Sequence, residues 1–185
     1  MKRLATLALG ALLTVNAFAL FGETEPNNTR ATADMVLYGN SAPWADVGVI
    51  NLGANDSDFF KIRLRAGDYL TAITFPISTL YDVPDTVMAL FDASGTTALV
   101  WNDDGEDGFG SAIRWQATAT GDYYIAITGF HGFSGRDDIS YYEGATHRAV
   151  GDYILTVSVV PEPASMVALG TGLVSLLALR RRKKN

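Results

Sequence analysis

Between Asp58 and Val159 the chain consists of short runs in which apolar side chains fall on every second residue, divided by Gly, Asp and Asn. A period of two puts alternate side chains on opposite faces of an extended strand, and runs of five to eight residues have strand length. In Asp58–Leu64, DFFKIRL, Phe60, Ile62 and Leu64 face one way, and Phe59, Lys61 and Arg63 the other. Ser111–Ala117 turns Ile113, Trp115 and Ala117 inward and Arg114 and Gln116 outward. Thr86–Phe91, TVMALF, is apolar on both sides and reads as a central strand. Shorter runs stand at Val47–Leu52 and Leu99–Trp101. No helical periodicity of useful length interrupts them. Eight or nine strands in about 110 residues predict an all-β domain, an antiparallel β-sandwich of two packed sheets or a barrel.

The tripeptide Gly-Asp-Tyr opens three of these runs, at Gly67, Gly121 and Gly151. The unequal intervals exclude a tandem repeat. Glycine permits a positive φ, Asp can accept from turn amides, and Tyr starts the strand. The pattern therefore reads as one turn-to-strand solution used three times. It places Tyr69, Thr71 and Ile73, then Tyr123, Ile125 and Ile127, then Tyr153, Leu155 and Val157 toward the core. A set of aromatic contacts for a glycan is the other reading.

The two ends differ from the middle. Residues 1–19 carry two basic residues, an apolar stretch and Ala17-Phe18-Ala19, the pattern of a secretory signal helix cut by signal peptidase; an N-terminal anchor is the alternative. At the other end Val160-Pro161-Glu162-Pro163 precedes an uncharged run, Ala164–Leu179, and five basic residues, Arg180–Lys184. Sixteen helical residues cover about 24 Å, just enough to span a membrane with snorkelling arginines and the basic cluster inside. A buried soluble helix leaves the basic cluster unexplained. These three parts in order resemble the PEP-CTERM sorting signal, with Pro161, Glu162 and Pro163 as its motif. The resemblance implies export from a Gram-negative bacterium, processing by a membrane-bound exosortase, and a cell-surface or biofilm-matrix setting.

The expected organisation is a signal peptide at 1–19, a polar leader packing on the domain at 20–34, a sandwich at 35–159, and a sorting signal with a transmembrane segment at 160–185. All twenty acidic residues lie between Leu20 and Glu162, against seven basic ones, a balance of −13 where the whole chain is −6. Such a surface disfavours nucleic acid and attracts divalent cations. There is no cysteine, so no disulfide ties the ends.

A second resemblance runs from about Glu23 to Val159. Glu23-Thr24-Glu25-Pro26-Asn27-Asn28, Asn55-Asp56-Ser57-Asp58-Phe59-Phe60, Leu90-Phe91-Asp92, Asn102-Asp103-Asp104 and the last two Gly-Asp-Tyr segments occur in the order of the bacterial pre-peptidase C-terminal (PPC) domain, which the chain resembles. The likeness implies a jelly-roll-like β-sandwich, some of whose members bind calcium and some collagen or polysaccharide. Two departures are the long insert Gly129–Val150 and the lack of an attached peptidase.

Calcium takes six to eight oxygens from carboxylates, amides and carbonyls. Glu23, Glu25, Asn27 and Asn28 offer them within six residues, and Asp56 and Asp58 offer a second pair before a strand. The resemblance implies that Glu23, Glu25, Asp56 and Asp58 converge on the metal, with Asn27 beside them. Solvated turn residues are the alternative. A second acidic loop holds Asp103, Asp104 and Asp107, but its spacing fails the EF-hand pattern; a plain surface loop is the first reading and a calcium-linked loop the second.

His131 and His147 stand in the insert without the spacing of a catalytic triad or a zinc site. With Phe133, Tyr141 and Tyr142 they form either a binding loop or packing over the sandwich edge. The resulting reading is a secreted, surface-sorted, non-catalytic module, stabilised by calcium, that contacts extracellular polysaccharide or surface proteins. A small secreted hydrolase and a matrix component without a specific ligand are the alternatives.

Overall fold

In the computed structural model the described residues are 19–36, 43–79, 83–105, 108–161 and Gly172. They form ten strands: β1 (Ala19–Phe21), β2 (Asp34–Met35), β3 (Trp44–Leu52), β4 (Ser57–Leu64), β5 (Tyr69–Pro76), β6 (Thr86–Asp92), β7 (Val100–Asn102), β8 (Ala112–Gln116), β9 (Gly121–Gly129) and β10 (Gly151–Val160). One sheet has the order β1-β3-β10-β5-β8 and the other β2-β4-β9-β6-β7. From β3 to β10 the chain changes sheet at every connection except β6–β7.

This corrects the expected fold on two points. The sandwich is mostly, not wholly, antiparallel: β1 pairs parallel with β3, and β2 parallel with β4. Hairpins impose antiparallel pairing, but the leader meets each sheet at an outer edge with no hairpin before it, so either direction is open to it. Neither expected terminal helix is among the elements of the described residues, whose one helical element is the 3₁₀ turn Ile139–Tyr141; beyond Pro161 only the single residue Gly172 is described, in helical conformation. Where the signal segment was to end, Ala19–Phe21 is strand. No helix of the described residues is long and apolar enough to cross a membrane. The rest of the expected signal helix, and of segment 164–179 apart from Gly172, lies outside the described residues, as do Glu162 and Pro163.

Between the sheets lies the main core, with Phe60, Ile62, Leu90, Ile125, Tyr153 and Leu155 fully buried. Each such side chain contributes about 1.5–3 kcal/mol by leaving water. Phe21 closes one edge by lying on Gly48, where any Cβ would meet its ring at 2.8 Å, and it packs edge-on against Phe60. A buried hydroxyl cluster ties the layers together. Thr74 and Thr86 share a hydrogen bond of 2.7 Å, the Ser111 amide donates to Thr74 Oγ1 and its hydroxyl to the Thr86 carbonyl.

The alternation of β4, β9 and β10 has the phase expected from sequence. That of β5 is opposite: Leu70, Ala72 and Thr74 are buried, while Tyr69, Thr71 and Ile73 lie on the outer face. The four-residue corner Arg65–Asp68 sets this phase. Asp68 is buried there and accepts from the Arg65 amide, and Gly67 takes φ 92°. A shift of one residue exchanges the two faces, so the corner outweighs the more apolar set. The three Gly-Asp-Tyr segments are not one device. Asp122 lies in a strand, paired with Lys61 and Arg63, and Asp152 accepts from Asn51 Nδ2.

The insert adds a third layer. Phe59, Val87, Ala89, Phe91 and Ala126 point away from the main core, and Ile139, Tyr141 and Tyr142 cover them. Tyr142 is fully buried, sits edge-on to Phe91 at 5.5 Å, and donates its hydroxyl to the Arg136 carbonyl at 2.9 Å. Among the described residues the other sheet has no such cover: Val49 and Phe75 are 54% and 46% exposed on either side of Ile154. We therefore expect Tyr142→Ala to destabilise the domain by about 3–5 kcal/mol, the range for emptying an aromatic core site. Ser134→Ala, at the exposed tip, should stay within about 0.5 kcal/mol. Urea unfolding followed by circular dichroism measures both, and equal effects would remove the insert from the core.

Candidate metal centre

The leader runs from the edge of one sheet to the edge of the other. Its polar groups are spent on anchoring: Glu23 Oε1 accepts from the Asn51 amide at 2.7 Å, the Asn27 carbonyl accepts from the Phe59 amide, and Asn28 Nδ2 donates to Asp56 Oδ1. This brings Glu23, Glu25 and Asp58 together, with one carboxylate oxygen of each within 4.8 Å of the others.

Two of the groups gathered here have no exposed surface. Asp58, at the start of β4, is fully buried; Tyr153 donates to its Oδ2 at 2.6 Å, and its Oδ1 has no hydrogen-bond partner. Asn27 is also fully buried; its Nδ2 donates to Asp34 and its Oδ1 is unpartnered. Glu23 Oε2 and Asn28 Oδ1 are buried and unpartnered too. Buried polar atoms without partners are rare, and these four are all acceptors.

Electrostatics sharpen the point. Burial pushes Glu23 up to about 7; the Asn51 amide opposes this, and the charges of Glu25, Asp56 and Asp34 add to it. Burial raises Glu25 as well, followed by the charge of Asp56. Burial holds Asp58 well above the ordinary carboxylate range, against the Tyr153 hydrogen bond. Among the described residues, the charges named as acting on these three groups are all carboxylates. A buried carboxylate without a counter-charge costs several kcal/mol. The chemistry that fits this set is a hard divalent cation taking carboxylate and amide oxygens.

Not every residue singled out from sequence joins the cluster. Both carboxylate oxygens of Asp56 are engaged in its own turn: Oδ2 accepts from the Gly53 amide, and Oδ1 from the Ser57 amide and Asn28. Asp56 reaches Glu23, Glu25 and Asp58 through its charge. Sequence reasoning missed Asn28 as an anchor, Asp34 as the partner of Asn27, and Tyr153 as the donor to Asp58. Only the Asn27-Asn28 pair carried a signal.

The second acidic group gathers Asp85, Asp103 and Asp104, also within 4.8 Å. It differs in having its own cation, since Arg136 forms an ion pair with Asp103 Oδ2. Burial raises Asp85 to about 6 and also raises Asp103, while Arg136 lowers both. Asp107 lies outside the described residues.

Of the five candidate residues in the insert, only Phe133 is strongly exposed, at 86%; Tyr141, Tyr142 and His147 are buried. His147 bridges the insert to the metal-centre strand, with Nε2 2.7 Å from the Asp56 carbonyl oxygen and Nδ1 3.1 Å from that of Ala149. His131 stacks on Tyr141 at 3.7 Å. Around the tip the Arg136 guanidinium lies 5.0–5.4 Å from the ring centres of Phe133, Phe130 and Trp101.

The described residues thus form a mostly antiparallel two-sheet β-sandwich with an acidic leader clasp and histidines engaged by backbone carbonyls. Residues 56–129 match the bacterial pre-peptidase C-terminal domain, and residues 159–183 match the PEP-CTERM protein-sorting motif. The chain thus carries a PPC domain followed by a PEP-CTERM sorting motif. It is 32% identical over 104 residues to a probable subtilase-type serine protease of Deinococcus radiodurans, which covers 56% of this chain but 14% of that protein.

Among solved structures it is similar to a periplasmic inhibitor of g-type lysozyme from Aeromonas hydrophila, at 15% identity and TM-score 0.44, over 77% of this chain and 99% of that one. It is also similar to the pre-peptidase C-terminal domain of a Bacillus anthracis collagenase, at 12% identity and TM-score 0.41, over 69% and 93%. The sorting motif marks the protein for secretion and sorting to the cell surface, with exosortase as its processing partner.

The raised carboxylates give a pH dependence with a definite sign. A group whose pKa is higher folded than unfolded stabilises the fold below its unfolded pKa, and that contribution is lost as pH rises through the folded value. For Glu23 the window runs from 4.5 to about 7. In chelator, the midpoint of thermal unfolding should therefore fall between pH 5 and pH 7.5, and Glu23→Gln should flatten the slope. A midpoint that climbs across this interval equally in both proteins would contradict the burial of Glu23.

Proposed function

We propose that the domain is a calcium-stabilised surface module. The ion is held by Glu23, Glu25, Asp58 and Asn27, and closes the leader onto the sandwich. The observation that carries this reading is the pair of fully buried, unpartnered oxygens, Asp58 Oδ1 and Asn27 Oδ1, beside the carboxylates of Glu23 and Glu25. Calcium would supply the missing charge and bind the folded chain only, because the ligands come together only when the leader is docked.

The contact surface in this reading is the insert tip, where Phe133 projects beside Phe130 and Trp101 around Arg136. Flat exposed rings there suit extracellular polysaccharide or a pocket on another surface protein. Segment 164–179 anchors the precursor in the membrane until exosortase acts.

After removal of bound metal, calcium added at a hundred times its dissociation constant should stabilise the fold by about 2.7 kcal/mol. The unfolding midpoint of the full chain in mild detergent should then rise by several degrees. Asp58→Asn should abolish the rise, and magnesium should give a smaller one. No shift at millimolar calcium would end the metal reading while leaving the sorting signal untouched.

A further inference from the structure

One outer face of the sandwich is nearly free of charge, and the tail leaves along it. The outward positions of β3, β10 and β5 include Val47, Val49, Ile154, Val160, Ile73 and Phe75. In register, Val49, Ile154 and Phe75 stand side by side, and Val47 and Ile73 flank Thr156 in the next row. Across β3, β10, β5 and β8 the charged outward residues are Arg114 near one end and Asp152 at the other. The segment Leu20–Glu162 otherwise carries twenty acidic and seven basic residues, so this face is set apart. Val49, Phe75 and Val160 are 54%, 46% and 50% exposed. A sheet face meant for water normally carries polar side chains at such positions.

The exit of the chain points to what covers it. Val160 is the last, outward-facing residue of β10, and Pro161 follows it in a cleft lined by Tyr69, Thr71, Arg114 and Val160. Val160 is in register with Tyr69, and Ser158 with Thr71, which pairs in turn with Arg114. The cleft therefore runs from the exit point back over the sheet, toward the apolar rows. Beyond Pro163 comes the uncharged run 164–179. From Val160 back to Asp152 the strand measures about 27 Å. Sixteen residues reach about 53 Å when extended, so the run crosses the face with chain to spare.

The order of charges agrees. The tail reads Glu162, apolar run, Arg180–Lys184, and the face reads Arg114, apolar rows, Asp152. Asp152 is exposed and linked to the acidic leader, because Asn51 Nδ2 donates to Asp152 and the Asn51 amide to Glu23. Exposed Glu25 lies on the same leader, and Arg148 is the exposed base in the loop before β10.

We propose that the outer face of β3, β10, β5 and β8 holds the chain's own run 164–179 whenever that run is outside a membrane. The basic cluster 180–184 then lies toward Asp152 and the leader carboxylates. Run and face both leave water when they meet, which is the driving force. Membrane and sheet compete for one segment, and loss of the tail bares the face. Only the competition rests on the membrane anchoring proposed above; the docking in water does not.

Photo-cross-linking of the full chain, purified without detergent, identifies the occupant. With benzoylphenylalanine in place of Phe75, irradiation and peptide mass spectrometry should find the cross-link within 164–179. Its yield should be on the order of tenfold above that of the same probe in place of Phe133, since only groups in contact react. The probe at Val49 should repeat the result. Mixed isotope-labelled and unlabelled chains should show the link to be within one chain. Phosphatidylcholine vesicles should draw the run away and abolish it, while flotation reports insertion independently.

Cross-links to residues 1–18, to a second copy, or to no part of the chain would overturn the docking, as would a chain that dissolves only in detergent. A chain that cross-links in buffer but does not float keeps the docking and loses the anchor. One that floats but never cross-links in buffer keeps the anchor and loses the docking.

Discussion

The packing of this domain turns on one carboxylate. Asp58 opens the central strand β4 and has no exposed surface. In a β-sandwich the start of a central strand is where an edge must be sealed, and an apolar residue would do so with no electrostatic cost. Here the seal is a charge-capable group with one hydrogen bond, to a tyrosine that is itself fully buried. That choice dictates the leader. Something must cover Asp58 with oxygen chemistry, and Glu23, Glu25 and Asn27 do so, reaching it because β1 and β2 fasten the leader to the edges of opposite sheets. The parallel pairing of these two short strands follows from a chain segment that straps the sandwich instead of folding back on it.

The insert is bound into the same arrangement. Its last residues return through His147, whose ring meets the Asp56 carbonyl, and the Asn55 amide donates to the His147 carbonyl. Ser57 donates its hydroxyl to the Tyr142 carbonyl, so residues on either side of Asp56 and Asp58 hold the inner face of the insert. Leader, strand start and insert therefore converge within one short stretch, 55–59. Ordering of the leader and ordering of the insert are linked through it, and the exposed tip at Phe133 is carried on a base that is part of the core.

Legibility in the sequence followed the range of the interactions. The alternation of β4, β9 and β10 is local and was readable residue by residue. The phase of β5 was not, because YLTAITF offers two plausible faces and the buried Asp68 in the preceding corner decides between them. Phe59 reads as outward-facing, which is true of its strand, yet it is buried because residues about eighty positions later cover it. The same distance problem hides the Asp58–Tyr153 bond, which spans 95 residues. The acid-rich leader was visible as a source of oxygen ligands, since Glu-x-Glu-x-Asn needs only its own spacing. Which nearby carboxylate joins it was not. Asp56 and Asp58 look alike in sequence, but turn amides claim the oxygens of Asp56 and leave one oxygen of Asp58 unpaired.

The sorting motif begins inside the fold. Val159 is 1% exposed and belongs to the core, yet it is also the first residue matched to the motif. The last strand is hydrogen-bonded on both sides, to β3 and to β5, up to its final residues. The strand that leads to Pro161 is therefore held on the sandwich up to its last residues. The fold thus carries direction as well as shape: β10 ends at the end of the sandwich opposite the one where Glu23, Glu25 and Asp58 converge.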